Sequence, residues 1–398
     1  MKQQMQNKWK VEKFTEIVEI LDSKRKPVNS NEREKRIGKI PYYGATGQVG
    51  WIDNYLFDEE LVLLGEDGAP FLDAYKDKAY LISGRSWVNN HAHVLKAKNG
   101  LTNKFLLYFL NNIDYHTYVT GTTRLKLNQA RMTAIPIILP SIEEQDLIVQ
   151  EIEKQFTRLD VTVKVLKSVR KKLEIYRKAV LKKAFAKKEG WEEKKIVNTF
   201  IINPKKSEAA DFGEDVEVSF IPMAYISETG KIVSMDKRPL REVKKGFTFF
   251  REGDVLLAKI TPCFENGKKA IAQDLFNGIG FGTTEFYVFR TKGEILQKWI
   301  YYNLSREDFR SGAKRSMAGA VGQQRVSKDF IENFILSFPK KLIEQEKIIS
   351  LIESKFSVIE KVEQVVANSL KKAEKLKKSI LKSAFEGKLV KMGELHND

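Results

Sequence analysis

The sequence of 398 residues contains one cysteine, Cys263, and four histidines. A single thiol excludes an internal disulfide framework and a Cys-x-x-Cys metal site, so the cytoplasm is the default compartment. Cys263 itself is expected to be an inert buried thiol. His91 and His93 are two apart and on a strand would share a face, but two histidines do not complete a metal site, and no metal is expected. No apolar run approaches the roughly 18 residues of a membrane span. The opening MKQQMQNKWK has no apolar core of a signal peptide. Enzyme signatures are also missing. There is no Walker A sequence, and Gly44-Ala45-Thr46-Gly47 leads into no convincing helix. Asn203-Pro204-Lys205-Lys206 lacks the second proline and the aromatic with which amino-methyltransferases hold a flipped base. Asp254 and Lys259 lack the further carboxylates a nuclease needs. No catalytic residue is assigned.

What the chain does have is positive charge. Its 69 Lys and Arg against 52 Asp and Glu give a net charge of +17. The excess is spread over several segments and favours a polyanionic partner, nucleic acid first. At this length two or three domains are expected rather than one core.

The second positive feature is a repeat. Residues 144–185 and 344–385 align without a gap at an offset of 200 residues, and about 15 of the 42 positions are identical. Each copy starts Glu-Gln and ends Ala-Phe, and neither contains Pro or Gly. Apolar residues recur in steps of three and four, a narrow coiled-coil stripe: Ile148, Ile152, Phe156, Leu159, Leu166 and Leu173 in the first copy, Ile348, Ile352, Phe356, Ile359, Val366 and Ile380 in the second. Each copy is expected to be one helix of roughly 60 Å at about 1.5 Å per residue. The stripe of each needs a partner, and the other copy is the nearest. The cation runs Arg170-Lys171-Lys172 and Lys371-Lys372 are expected on solvated faces.

The repeat divides the chain into a globule (1–141), a helix (142–188), a second globule (189–340) and a second helix with a tail (341–398). In the first globule, Leu61–Leu64, Ala79–Ser83, Trp87–Val94 and Ile135–Leu139 read as strands and Lys104–Asn112 as a short helix. Lys24–Lys39 reads as a polar loop, and Phe249–Lys259 in the second globule as a hairpin around Glu252-Gly253-Asp254. The class is α+β with a mostly antiparallel sheet. The globules open alike, at Trp9 and Trp191, and close alike, at Pro140 and Pro339, around unlike interiors.

This succession resembles the specificity subunit of type I restriction-modification systems, over essentially the whole chain. The Leu139-Pro140…Glu144-Gln145 and Phe338-Pro339…Glu344-Gln345 junctions are similar to that family's entries into its spacer helices. Pro41–Gly47 and Ile260–Lys268 resemble stretches of its recognition domains. The resemblance implies two α/β target-recognition domains separated by two long helices. The helices most simply pair as an antiparallel coiled coil, giving an approximate two-fold. It implies a bacterial or archaeal cytoplasm and a chain without catalytic activity, each domain reading one half of a bipartite site on double-stranded DNA. The helices would set the gap and dock two modification (methyltransferase) subunits. Those subunits would use S-adenosylmethionine, this chain needing no cofactor, and restriction subunits would join. The alternatives are a DNA-binding regulator with a coiled coil, or a methyltransferase-associated recognition protein of a related restriction system.

Candidate DNA contacts follow from side-chain chemistry, Arg and Lys suiting guanine or phosphate, Asn and Gln suiting adenine. In the first globule they are Tyr42, Tyr43 and Gln48 in a Gly-rich stretch, Arg85 and Asn89, and Arg124, Lys126 and Asn128 in a polar loop. One of the two tyrosines, and Trp87, are expected in the core. In the second globule they are Lys259, Thr261, Asn266 and Lys268, then Lys314, Arg315, Gln323, Gln324 and Arg325. The polar loops, Thr120–Asn128 and Gly319–Ser327, align only loosely with one another.

Overall fold

The computed structural model describes residues 9–320 and 322–390. The opening MKQQMQNK, Val321 within the second polar loop, and the last eight residues of the tail lie outside the described residues. The chain forms two compact units, residues 1–168 with 366–398, and residues 169–365. The division therefore runs through the long helices instead of around them: each unit holds one globule and part of each helix.

In the first globule, Lys10–Glu12 pairs antiparallel with Ile137–Leu139, so chain entry and exit close on each other. Between them lie two four-stranded sheets. One has the spatial order Val18–Ile20, Ala92–Ala97, Leu61–Gly65, Ala79–Ile82, all antiparallel. The other has the order Gly47–Ile52, Ile40–Gly44, Arg85–Val88, Phe57–Asp58, with Ile40–Gly44 and Arg85–Val88 parallel. Strand Leu61–Gly65 is buried throughout. Its alternation divides it: Val62 and Leu64 face the core that contains Phe105, Leu106, Phe109 and Leu110 of helix Asn103–Asn112, while Leu61 and Leu63 pack with Phe57 and Val88 of the second sheet. The layers are helix, sheet, sheet.

The second globule repeats this plan. Trp191–Lys195 pairs with Ile335–Pro339. The first sheet is Phe200–Ile202, Phe286–Thr291, Val255–Ala258, Lys269–Ile271. The second is Asp236–Pro239, Glu217–Ile221, Ile279–Gly282, Thr248–Arg251, again with the two middle strands parallel. The unlike interiors therefore share one topology. Three readings of the sequence are corrected. Thr248–Arg251 and Val255–Ala258 are no hairpin; the turn at Gly253, with φ of +84°, carries the chain from one sheet to the other. Trp87–Val94 is two strands, because the Asn89 side chain accepts the His91 N–H at 2.8 Å and turns the chain. Part of the polar run Lys24–Lys39 is helical, Ser30–Lys35, capped by Asn29.

The long helices are Ile142–Ala184 and Leu342–Phe385. In the first unit, Ile148 and Ile152 near the start of one share a core with Ile380 and Ala384 near the end of the other. Phe385 meets the rings of Phe105 and Phe109 edge-on at 5.3 and 5.6 Å. In the second unit the halves exchange roles: Ile352, Phe356 and Ile359 share a core with Val180 and Leu181, and Phe185 meets Trp299 edge-on at 4.8 Å. Start beside end in both units makes the pair antiparallel. Ion pairs lock each, Lys377 to Asp160 at 3.1 Å and Arg177 to Glu363 at 3.1 Å. Of the remaining stripe residues, Val366 is buried, and Phe156, Leu159, Leu166, Leu173 and Ile348 are half-buried.

Candidate nucleic-acid interface

The repeated Glu-Gln explains how each globule is fixed to a helix. Gln145 is fully buried, and its amide donates to the carbonyls of Gly100 and Pro140 while accepting the N–H of Thr102. Gln345, equally buried, donates to Glu294 and Pro339 and accepts from Leu296. A buried amide with its polar atoms satisfied defines one geometry.

Each globule presents one polar loop beside the end of its central strands. In the first, Thr120 and Lys126 exchange backbone hydrogen bonds of 2.9 and 2.8 Å, closing a tip of residues 121–125. Leu127 then plugs the core and Asn128 caps helix Gln129–Thr133. In the second, Ala318 and Arg325 exchange bonds of 3.1 and 2.9 Å around residues 319–324; Val326 is buried, and Ser327 caps helix Lys328–Asn333. The loops that align loosely in sequence are therefore one element, with tips that differ by a residue in length.

The candidate side chains divide by what already holds them. Tyr42 is buried, its hydroxyl donating to the Val28 carbonyl at 3.1 Å, and it is a core residue rather than a contact. Asn89 is buried and builds its turn, while Asn128 is exposed and accepts the Arg131 N–H on its Oδ1 at 2.9 Å, with its Nδ2 donors outside that cap. Tyr42 and Asn89 correct the sequence reading, being buried with polar atoms held by backbone partners. In the second globule Thr261 donates its hydroxyl to the Gln324 carbonyl at 3.0 Å, and Lys268 reaches the Met223 carbonyl. Asn266 donates to Glu228, and Lys259 lies over the Tyr287 ring at 5.5 Å. Trp87 is core, its indole donating to Lys26, and Tyr43 is half-buried near Tyr80. Gln48, Arg85, Arg124, Lys126, Lys314, Arg315, Gln323 and Arg325 are exposed, and Gln324 is half-buried. Arg124, Lys126, Gln323, Gln324 and Arg325 gather in the two loops; Gln48 and Arg85 lie on the second sheet.

Sequence reading missed the carboxylates. Asp67 meets Arg124 at 2.8 Å, Glu66 meets Lys126 at 3.3 Å, and Glu285 meets Arg325 at 2.8 Å. Arg325 holds the Glu285 carboxyl below its ordinary range by hydrogen bonding, and Glu285 in return raises the guanidinium. Partners so far apart in sequence leave no spacing signal.

The one acid and histidine grouping among the described residues that has metal-ligand spacing is Asp22, Glu66 and His93. Arg25 already pairs with both acids, at 3.2 and 2.7 Å, and His93 lies between Asp22 and the Leu127 carbonyl. It is an ion-pair network under the loop. His91 lies in the turn before the strand, 2.7 Å from Asp67, so the two histidines do not share a strand face. Cys263 is partly exposed, not buried. Asn203, in the segment weighed as a base-holding loop, exchanges hydrogen bonds with the backbone of Val288.

Residues 6–173 match the family model described as the type I restriction modification DNA specificity domain. That match takes in the first globule and most of the first long helix. It is 38% identical over 201 residues to the EcoAI specificity subunit of Escherichia coli, covering 50% of this chain and 33% of that protein. The EcoEI specificity subunit of the same species is 36% identical over the same shares. The matched segment thus spans about a third of the length of these two relatives. A putative type I restriction enzyme specificity subunit of Haemophilus influenzae is 26% identical over 85% of each chain. In fold, the chain resembles one from a structure of assembly and conformational transition in the type I system, with TM-score 0.71 over 96% of this chain and 98% of that one at 15% identity. The HsdS subunit of Thermoanaerobacter tengcongensis gives 0.52 over 96% and 97%, also at 15% identity. Among the described residues no helix is long and apolar enough to cross a membrane.

Proposed function

We propose that this chain is the DNA-specificity subunit of a type I restriction-modification complex. Each globule reads one half of a bipartite site on double-stranded DNA through its polar loop, and the paired helices set the unread gap and dock two methyltransferase subunits. Restriction subunits join that core. S-adenosylmethionine is bound by the methyltransferase subunits, the chain itself performs no chemistry, and the complex works in the cytoplasm. The observation that carries this reading is that two globules of one topology display the same closed loop with unlike tips. One topology suits one mode of approach to a duplex, and unlike tips suit unlike sequences. The physics favours two readers on one rigid spacer: each adds its own discrimination, and the second binds without a second association cost. The net charge of +17 supports a polyanionic ligand.

The test is reconstitution. The full chain should copurify with methyltransferase subunits and bind duplex DNA with an affinity that falls steeply with salt, while the chain alone neither methylates nor cuts. A flat salt response, or copurification with no such subunit, contradicts the proposal; robust activity of the chain alone would contradict its non-catalytic part.

A further inference from the structure

We infer that Glu66 and Glu285 are positioning residues for DNA specificity: each holds the cation that closes its reading loop, and so aims the loop tip without touching DNA. This rests on the function proposed above. It also reassigns Lys126 and Arg325, which sequence chemistry offered as DNA contacts, to the inside of the device.

The two loops share a base and differ in the tip. At the base a cation closes the backbone pair in both, Lys126 opposite Thr120 and Arg325 opposite Ala318. The residue after the first partner is a glycine with positive φ in both, Gly121 at +93° and Gly319 at +127°. A Cβ there would lie 2.5 Å from the Arg124 carbonyl oxygen or 2.9 Å from that of Gln323, so each tip folds back tightly on its own backbone.

The carboxylates come from different strands. Gly65 is paired with Ala92 in the first globule, as Ala258 is with Phe286 in the second. The next residues out are Glu66 and His91, joined by a Glu66 N–H to His91 carbonyl bond, against Lys259 and Glu285, joined by the same bond. The acid that meets the loop cation therefore follows one strand in the first globule and precedes its neighbour in the second. The acid stands at one position of this pair in the first globule and at the other in the second, Glu66 matching Lys259 and His91 matching Glu285, while the ion pair at the loop base is present in both. An ion pair whose cation is exposed, as Lys126 and Arg325 are, contributes little to stability. Fold stability is thus a weak reason for the pair, and placement is the stronger one.

Arg325 is occupied by this role. Its Nε lies 3.2 and 3.0 Å from the two Glu285 oxygens, its Nη2 lies 2.8 Å from one of them, and its Nη1 donates to the Gln323 carbonyl at 3.2 Å. The fork fixes the guanidinium plane and ties it to the tip. In the first globule, Glu66 is in turn held by Arg25 at 2.7 Å. Gln323 and Gln324 in one tip are left as base readers, and in the other Arg124 reads with the guanidinium donors that its 2.8 Å bond from Nη2 to Asp67 does not use.

The test uses the full chain assembled with methyltransferase subunits, reading methylation rates on duplexes that carry each single-base change in either half-site. Glu285→Gln should reduce discrimination in the second half-site about tenfold, one mismatch normally costing about 1–3 kcal/mol, with the first half-site unchanged. Glu66→Gln should do the converse. The reversed pair, Glu285→Arg with Arg325→Glu, should recover most of the loss, whereas Arg325→Glu alone should not. Unchanged discrimination in both glutamine variants, or a reversed pair as defective as Arg325→Glu alone, overturns the inference; the latter result would mean that Arg325 itself touches DNA. A wild-type complex with no bipartite preference would instead sink the proposed function.

Discussion

The side-chain carbonyl of Gln145 accepts the backbone N–H of Thr102 at 2.9 Å, and Thr102 caps the helix that packs on the central sheet of the first globule. One buried amide thus fastens the first globule to the first long helix. Replacing Gln145 with Ala leaves the Thr102 N–H and two carbonyls buried without partners. The first unit should lose about 2–4 kcal/mol, buried unsatisfied groups costing about 1–3 kcal/mol each with partial relief by water. Hydrogen exchange should show faster opening of residues 100–112 than of the second unit, and Gln345→Ala should reverse the pattern.

Lys269 should act in the opposite sense. It is 6% exposed, donates to the Tyr301 carbonyl and lies 3.8 Å from the centre of the Tyr301 ring. No carboxylate is paired with it among the described ion pairs, and burial, then repulsion by Arg310 and Arg177, pushes its pKa well below the ordinary 10.5. A lowered lysine pKa means that the unfolded chain binds the proton more readily than the folded one. The penalty is therefore full below the folded pKa and disappears as pH rises to 10.5. Lys269→Met should raise stability by about 1–4 kcal/mol at neutral pH, with the gain shrinking toward pH 10.5 in denaturant titrations. A destabilised variant would assign Lys269 a partner or a function.

Much of this architecture was legible, and for definite reasons. The long helices announce themselves because an apolar stripe repeated at Ile152, Phe156 and Leu159 and again at Ile352, Phe356 and Ile359 has one helical reading. The common topology of the globules was not legible. Strand pairing depends on non-local registry, and Leu61–Gly65 and Val255–Ala258 are apolar runs whose partners no local pattern names. The loop was half legible. Arg124 and Arg325 stand out by chemistry, but Asp67 and Glu285, 57 and 40 residues away, do not. Tyr42 and Asn89 read as contacts because polar and aromatic side chains in turns serve structure and recognition with the same chemistry.

Gly121 offers a local probe of the reading loop. Gly121→Ala puts a Cβ against the Arg124 carbonyl at positive φ. Strain of about 1–3 kcal/mol at an exposed tip should be relieved by moving the tip. Affinity for the first half-site should fall by about tenfold or more while the unfolding midpoint shifts little. Binding that is unaffected would remove the tip from the interface.

Helix length offers another. Removing seven residues from each long helix keeps the apolar stripe in phase and shortens the pair by about 10 Å. The unread gap should shrink by about three base pairs, at 3.4 Å per base pair, with both half-sites unchanged in a selection from random duplexes. An unchanged gap would show that the helices do not measure it.

The central claim is that one chain carries two independent readers. The direct measurement is a map of methylated bases in the DNA of cells expressing this chain with methyltransferase subunits, repeated after exchanging residues 10–140 for the corresponding domain of another family member. The account predicts a bipartite site in which one half changes while the other half and the gap stay the same. A map in which both halves change, or neither does, would contradict it.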